Sequence, residues 1–273
     1  MTDRYAVIGN PIAHSKSPFI HAAFAQQTAQ NLTYERILAP LSDFAAVLQQ
    51  FQAEGGLGVN VTVPFKEQAW QLADEPSTRA KLAEAANTLL FTATGILADN
   101  TDGVGLITDI IQNLNFPLAG QRVLVMGAGG AARGVIAALL AEQPLLLVIA
   151  NRTVNRAVAL QQRFMPYGIV SACDYAALQG LQFDCVINAT AASLAGESIP
   201  LPDTLFAPGS LAYDMMYGKQ PNIFLRFADL HGAELCIDGL GMLVEQAAIA
   251  FHLWRKVRPA TQPVIAQLRA EQY

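Results

Sequence analysis

Charge is scarce in this 273-residue chain: Asp, Glu, Lys and Arg make up 14 % of it, against 52 % hydrophobic residues. That balance excludes an extended disordered chain and fits a well-buried α/β protein. The charge that is present sums to −5, with a pI near 5.3. It lacks the basic face that nucleic acid binding needs, so nucleic acid is not an expected partner. Cysteine is sparse too. Cys173, Cys185 and Cys236 show no C-x-x-C spacing and fall in or beside predicted strands, which suits a reducing cytoplasm better than a disulfide scaffold. His14, His21, His231 and His252 lack metal-ligand spacing, so packed or solvated imidazoles are expected, and no metal. The most apolar stretch, 135–150, is interrupted by Glu142, Gln143 and Pro144 and is too broken to span a bilayer. The opening Met1-Thr2-Asp3-Arg4 leads straight into a short strand without a signal-peptide core. Repeats and low-complexity tracts are missing, and the length exceeds the usual single core, so two domains are expected.

What stands out instead is a glycine-rich turn in mid-chain. A buried parallel strand is predicted over 123–126, then Gly127-Ala128-Gly129-Gly130-Ala131-Ala132 opens a helix to about Ala141, and a second strand follows at 145–150. This is a βαβ unit with the dinucleotide fingerprint in its first turn. Gly127 permits the tight turn, Gly129 lets backbone N–H groups approach a pyrophosphate, and Ala132 allows close packing of helix on strand. The helix N-terminus is a ready anion site. At the tip of the second strand an NAD enzyme would carry Asp or Glu. This chain has Asn151-Arg152-Thr153, with Arg156 one turn beyond Arg152. Two guanidinium groups and a hydroxyl suit a 2′-phosphate, so the expected cofactor is NADP.

Along the rest of the chain, strands are predicted at 5–9, 32–38, 58–61, 89–91 and 96–98, the last two joined by a turn at Thr94-Gly95. Helices are predicted at 18–30, from a Ser42 cap to about Ala53, at 64–73 and 77–86, and from Asp102 to about Leu114. After the fingerprint come helix 153–164, strands 169–172 and 183–188, a loop at 190–209, strand 211–214, helix 222–230, strand 234–237 and helices at 240–257 and 261–272. Strands alternating with helices in this way mean mostly parallel sheets covered on both faces, with a cleft between two domains for a small ligand.

Four segments put polar residues at strand ends, the edge where open α/β sheets bind ligands: 10–18, 60–66, 84–88 and 99–103. Together they supply hydroxyls, amides, one ammonium and one carboxylate, a set suited to a small polyhydroxylated acid. Ser15 and Ser17 also fit caps for the helix at Pro18, and Asp102 fits a cap for its own helix. Lys66 is less easily explained by structure alone, because a cation in the first turn of a helix opposes the positive end of the macrodipole.

At this point the chain resembles the shikimate dehydrogenase family over nearly its whole length. The resemblance rests on GNPIAHSKSP at 9–18, NVTVPFK at 60–66, ANT at 86–88, NTDG at 100–103, GAGGAAR at 127–133, NRT at 151–153, NAT at 188–190, YDMMY at 213–217 and DGLGMLVEQAA at 238–248. It implies NADPH-dependent reduction of the 3-keto group of 3-dehydroshikimate to shikimate, in aromatic amino acid biosynthesis. It implies that Ser15, Ser17 and Tyr217 hold the substrate carboxylate. Asn60, Thr62, Asn87 and Gln246 bind ring hydroxyls or shape that pocket, and Lys66 and Asp102 form the catalytic pair. On the cofactor side it implies Gly127, Ala128, Gly129, Gly130 and Ala131 at the pyrophosphate, Asn151, Arg152, Thr153 and Arg156 at the 2′-phosphate, and Thr190, Met215, Gly239 and Met242 towards the nicotinamide. The fold it implies is α/β with two domains. Residues 1–102 form a substrate domain with a mostly parallel sheet, residues 103–238 a Rossmann-like NADP-binding domain, and the C-terminal helices (239–273) return to the first, bringing Gln246 to the cleft. A cytoplasmic monomer or homodimer is expected, with a small-molecule substrate and no membrane. Two departures stand out. Ala191-Ala192 follows Thr190 where the family usually has Ser, and Gly218-Lys219-Gln220-Pro221-Asn222 replaces the commoner pattern after Tyr217, with Asn222 as an alternative helix cap. Two other functions stay open: a quinate/shikimate dehydrogenase using both NAD and NADP, against which Arg152 argues, and a non-catalytic NADP-binding regulator, which would be expected to have lost Lys66 or Asp102.

Overall fold

The protein's structure, a computed structural model, describes residues 2–190, 192 and 199–272. The chain divides into two compact units, Met1–Gly105 with Val244–Arg269, and Leu106–Leu243 with Ala270–Tyr273. The expected boundaries were at 102/103 and 238/239. The observed ones fall inside two helices, α5 (Asp102–Thr108) and α9 (Leu240–Arg255).

The first unit is built on six strands: β1 (Asp3–Gly9), β2 (Leu32–Leu38), β3 (Gly56–Val61), β4 (Glu75–Pro76), β5 (Thr88–Thr92) and β6 (Gly95–Asp99), in the order β2-β1-β3-β5-β6-β4. β1 pairs parallel with β2 and β3, and β4 with β6, whereas β5 runs antiparallel to both neighbours. The two-residue period of a strand sorts its side chains onto two faces. Ala6, Ile8, Val59, Val61, Leu89 and Ala98 pack against Phe44, Leu48 and Phe51 of α2 (Phe44–Ala53) and against Phe65 and Ala69 around α3 (Lys66–Gln71). On the other face Tyr5 stacks on Trp254 of α9, ring centroids 4.6 Å apart, with Ala250 and partly buried Leu32, Tyr34 and Leu90 beside it. His21 of α1 (Ser17–Gln27) joins that aromatic group.

Several local expectations need correction. The α2 cap position is Asp43, not Ser42, and its side chain makes no capping bond. Thr92 pairs with Gly95, so the hairpin loop is Ala93-Thr94 rather than Thr94-Gly95. α3 and α4 (Thr78–Ala83) are shorter than the helices predicted at 64–73 and 77–86, since Phe65 N–H closes a turn onto Thr62 O and Glu84 ends α4 in the left-handed region. β4 was not foreseen because two residues carry no periodicity. The helix beginning at Asp102 becomes a π-helical turn at Asp109–Asn113.

The second unit carries β7 (Arg122–Met126), β8 (Leu146–Ala150), β9 (Val170–Cys173), β10 (Phe183–Asn188), β11 (Phe206–Asp214) and β12 (Leu235–Asp238). Their order is β12-β11-β10-β7-β8-β9 and every pairing is parallel. Counted from β7 this is 6-5-4-1-2-3, the doubly wound order of dinucleotide-binding sheets, with the reversal of winding between β7 and β10. Leu124, Met126, Val148, Val186 and Ala212 lie in one core with Phe224, Leu225 and Ala228 of α8 (Ile223–Leu230). Asn222 caps α8 by accepting Leu225 N–H at 3.0 Å. The loop expected over 190–209 is corrected at its far end, where β11 already begins at Phe206. A register shift against β10 (Phe183 opposite Phe206, Cys185 opposite Leu211) takes up Pro208 and Gly209, and those two residues disguised the strand. Ala191, one of the two departures from the family pattern, lies outside the described residues.

Candidate active site

In the first unit the polar segments converge on Asp102. Lys66, the first residue of α3, donates its ammonium to Asp102 Oδ2 at 2.6 Å. Asn87 Nδ2, just before β5, donates to Asp102 Oδ1 at 2.8 Å. The carboxylate thus has a donor on each oxygen, in surroundings that leave 20 % of the Lys66 side chain and 7 % of Asp102 exposed. Such an arrangement holds an ammonium in one place while one side of it stays open to a ligand, which is the geometry of a positioned general acid. Asp102 therefore anchors Lys66, and it is the first residue of α5 rather than its cap.

Asn87 spends its own amide on this framework. Nδ2 also faces Thr101 Oγ1 at 2.9 Å and Gln246 Oε1 at 3.3 Å, while Oδ1 accepts from Thr101 N–H and Thr88 Oγ1. An amide has two hydrogens and two lone pairs, so Asn87 shapes the site with its hydrogen-bonding capacity already filled. Gln246 of α9 and Thr101 are buried in the same cluster. Asn60, at 6 % exposure, closes one side of it. Asp99 holds the segment from behind, accepting from Ser77 Oγ, the Arg79 guanidinium and Asn100 N–H.

The 10–18 loop is fastened separately. Arg36 on β2 donates twice to the Ser15 carbonyl, at 2.9 and 2.6 Å, and Asn10 Nδ2 donates to Ala39 O. Ser15 Oγ accepts Ser17 N–H and donates to Ser17 Oγ at 3.2 Å, but neither serine is the helix cap: the cap position is Lys16, with no side-chain capping bond, and Ser17 is the first residue of α1. Thr62 is half-buried, and its methyl occupies the space a side chain at Gly9 would fill. His14 is exposed. His21 is fully buried; burial holds its pKa down at about 3, against the smaller opposing effect of a side-chain hydrogen bond with Asn60.

In the second unit the fingerprint turn stands where the winding reverses. Gly127 has φ +103, and a side chain there would meet Thr190 and the Ala189 carbonyl, so only glycine suits the position. Ala132 is fully buried against the sheet. Gly129 is the cap residue of α6 (Gly130–Ala141); no side chain caps the helix and no acid lies in its first turn. A Cβ on Gly129 or Gly130 would meet nothing within 4 Å. A bare helix N-terminus facing open space fits a pyrophosphate. At the tip of β8, Arg152, Thr153 and Arg156 are exposed, with no acidic side chain paired to either arginine among the described residues. Asn151 Nδ2 ties the turn by donating to Thr153 O.

Thr190 is held by Asn188, whose Oδ1 accepts both its N–H and its hydroxyl, and the Asn188 amide in turn donates to fully buried Asp214. Met215 N–H bonds Asn188 O, and a side chain on Gly239 would overlap the Met215 carbonyl. Met242 N–H bonds the Tyr213 hydroxyl, which donates to Asp109. Burial, reinforced by that carboxylate, pushes the Tyr213 phenol well above its usual range. Tyr217 is half-buried in this unit. Sequence reasoning passed over Arg36, Tyr34, Thr88, Thr101, Asn188 and Asp214. The last four lie in or beside quoted motifs, whereas Arg36 and Tyr34 sit on an edge strand with no motif to mark them.

Comparison with known proteins points to a single family. Three family models match in order: the shikimate dehydrogenase substrate binding domain over residues 7–89, shikimate / quinate 5-dehydrogenase over 109–195, and the shikimate 5'-dehydrogenase C-terminal domain over 239–269. A shikimate dehydrogenase (NADP(+)) of Dechloromonas aromatica is 58 % identical over 271 residues, covering 99 % of each chain. One from Alkalilimnicola ehrlichii is also 58 % identical, over 99 % of this chain and all of that protein. Among solved structures, an Ael1 enzyme from Pseudomonas putida superposes with a TM-score of 0.92 at 50 % identity over 98 % of each chain. Shikimate 5-dehydrogenase of Thermus thermophilus, in complex with NADP(H) and shikimate, gives 0.86 at 31 % identity over the whole of both chains. This chain belongs to the shikimate dehydrogenase family.

Proposed function

We propose that the protein is an NADP-dependent shikimate dehydrogenase, interconverting 3-dehydroshikimate and shikimate in aromatic amino acid biosynthesis. The observation that carries the reading is the Lys66–Asp102–Asn87 cluster: an ammonium held at 2.6 Å by a carboxylate that is itself oriented from its other oxygen. The bare helix N-terminus after Gly127 and the exposed arginines at the β8 tip fit the dinucleotide. When bound, NADP supplies or accepts the hydride. The chain's own part is acid–base chemistry and binding. Lys66 gives a proton to the oxygen of the 3-keto group in the reductive direction and takes it back in the other. Asp102 keeps the ammonium in line, and Asn87 keeps Asp102 from turning away.

Around that pair, Ser15 and Ser17 with Tyr217 hold the carboxylate of the substrate, and Asn60, Thr62 and Gln246 meet or frame its hydroxyls. Gly127 to Ala131 line the pyrophosphate, Asn151, Arg152, Thr153 and Arg156 take the 2′-phosphate, and Thr190, Met215, Gly239 and Met242 border the nicotinamide end. Residues 1–102 with 239–273 form the substrate domain of this reading, and 103–238 the cofactor domain. The protein acts in the cytoplasm, as a monomer or homodimer. Among the described residues no helix is long and apolar enough to cross a membrane.

Initial rates of the purified protein with shikimate and with quinate, each against NADP and NAD, test the proposal. It requires the shikimate–NADP pair to give the highest kcat/KM. Equal use of NAD would point to the dual-specificity quinate/shikimate enzyme, and no turnover with any pair to a non-catalytic binder.

A further inference from the structure

Ser15, Ser17 and Tyr217 bring only neutral hydroxyls to a substrate carboxylate, and a charge taken partly out of water needs more than that. A cation stands directly behind the two serines. Arg36, on β2, donates from Nε and Nη2 to the Ser15 carbonyl at 2.9 and 2.6 Å. Ser15 N–H closes onto Ile12 O at 3.0 Å and Ser15 Oγ accepts Ser17 N–H, so Ser15 is tied through its amide, its carbonyl and its hydroxyl. Tyr34, two places before Arg36 and on the same face of the strand, hydrogen-bonds the Ser17 side chain. One edge strand thus holds both serines. Glu35 lies on the other face of β2 and pairs with Arg4 at 2.9 Å. Among the described residues no carboxylate pairs with Arg36, nor with Lys16 between the two serines, and both cations are exposed. In a chain of net charge −5 this loop is a local positive spot. The guanidinium also covers the Ser15 carbonyl oxygen, a partial negative charge that would otherwise oppose an anion.

We propose that Arg36 is a positioning residue for the substrate's carboxylate, holding the Ser15–Ser17 turn in shape and giving it a positive charge, so that the site selects an ionised acid over a neutral analogue of the same shape. The proposal rests on the substrate reading above and adds to it the group that answers the ligand's charge. Lysine would supply the charge but not the planar fork that puts two donors on one carbonyl. Attraction between partly solvated charges is modest and is screened by salt. The effect is therefore one of affinity for the acid, distinct from the proton transfer assigned to Lys66.

The test is calorimetric binding of shikimate and of its uncharged carboxamide to the purified protein and to its Arg36→Met and Arg36→Lys variants, at about 0.02 M and about 0.5 M salt. At low salt Arg36→Met should weaken shikimate binding about three- to tenfold and carboxamide binding by less than about twofold. Arg36→Lys keeps the charge with one donor for the carbonyl, and should fall between Arg36→Met and the wild type. In the wild type, salt should weaken shikimate more than it weakens the carboxamide, and Arg36→Met should narrow that difference. Equal losses for the two ligands in Arg36→Met would reduce Arg36 to a strut of the loop and overturn the charge assignment, and so would an Arg36→Met protein that binds shikimate as the wild type does. The salt comparison needs no variant. Wild-type affinities for the acid and the amide that fall alike with salt would overturn the proposal and leave the substrate reading intact. A wild-type protein that binds neither ligand would overturn the substrate reading and this proposal with it.

Discussion

Replacing Lys66 by Met separates the chemistry of the site from its stability. The variant keeps an unbranched apolar stem and removes the ammonium. A positioned acid contributes about 10²–10⁴ in rate, or about 3–5 kcal/mol of barrier at about 1.4 kcal/mol per decade, and kcat should fall by that factor. KM for shikimate should stay within about threefold, because the ammonium strengthens its interaction only as charge builds on the substrate oxygen. The structure sets the stability term separately. Asp102 keeps its bond from Asn87 but loses the donor on Oδ2. An unpaired buried acceptor costs about 1–3 kcal/mol, and the lower end applies because one-fifth of the Lys66 side chain is open to water. Adding Asp102→Asn to Lys66→Met removes the stranded charge, so the double variant should regain stability and remain inactive. Stopped-flow turnover and urea unfolding on the same preparations check both terms. A folded Lys66→Met protein with kcat within tenfold of the wild type would remove lysine from the mechanism. If His14→Ala alone abolished turnover with binding intact, the role would pass to that exposed imidazole.

Three further outcomes are expected. Arg152→Ala should raise KM for NADPH about 10–100-fold, a charged hydrogen bond's worth, and leave KM for NADH nearly unchanged; equal changes would mean the β8 tip does not read the phosphate. Gly239→Ala drives a methyl into the Met215 carbonyl, and such overpacking against backbone should lower stability by about 1–3 kcal/mol in thermal or urea unfolding; an unchanged midpoint would show that the segment yields. His21 stays neutral in the fold down to a pKa of about 3, whereas the unfolded imidazole takes its proton near pH 6.5. Between those values the unfolded state binds more protons, so acid weakens the fold through this group, by about 2 kcal/mol from pH 7 to pH 5. His21→Phe should flatten that slope, and an unaltered slope would place the titration elsewhere.

The sequence by itself determined the parts of this protein that depend on near neighbours in the chain. The fingerprint at 127–132 follows from local geometry, because a positive φ at Gly127 and an uncapped helix start are properties of six consecutive residues. Asn151-Arg152-Thr153 could likewise be placed at a strand tip from the apolar run before it. Lys66 and Asp102 could be named as a pair from their motifs, but their 2.6 Å contact spans thirty-six positions and was decided by how α3 and the 99–103 segment meet around β3, β5 and β6. The antiparallel β5 and the two-residue β4 also belong to the tertiary structure, since neither carries a pattern that periodicity can detect. The orientation of the Asn60 amide was hidden most deeply. An asparagine in a sequence can donate or accept, and only a carbonyl oxygen brought close from the segment before β5 decides which way its amide is turned.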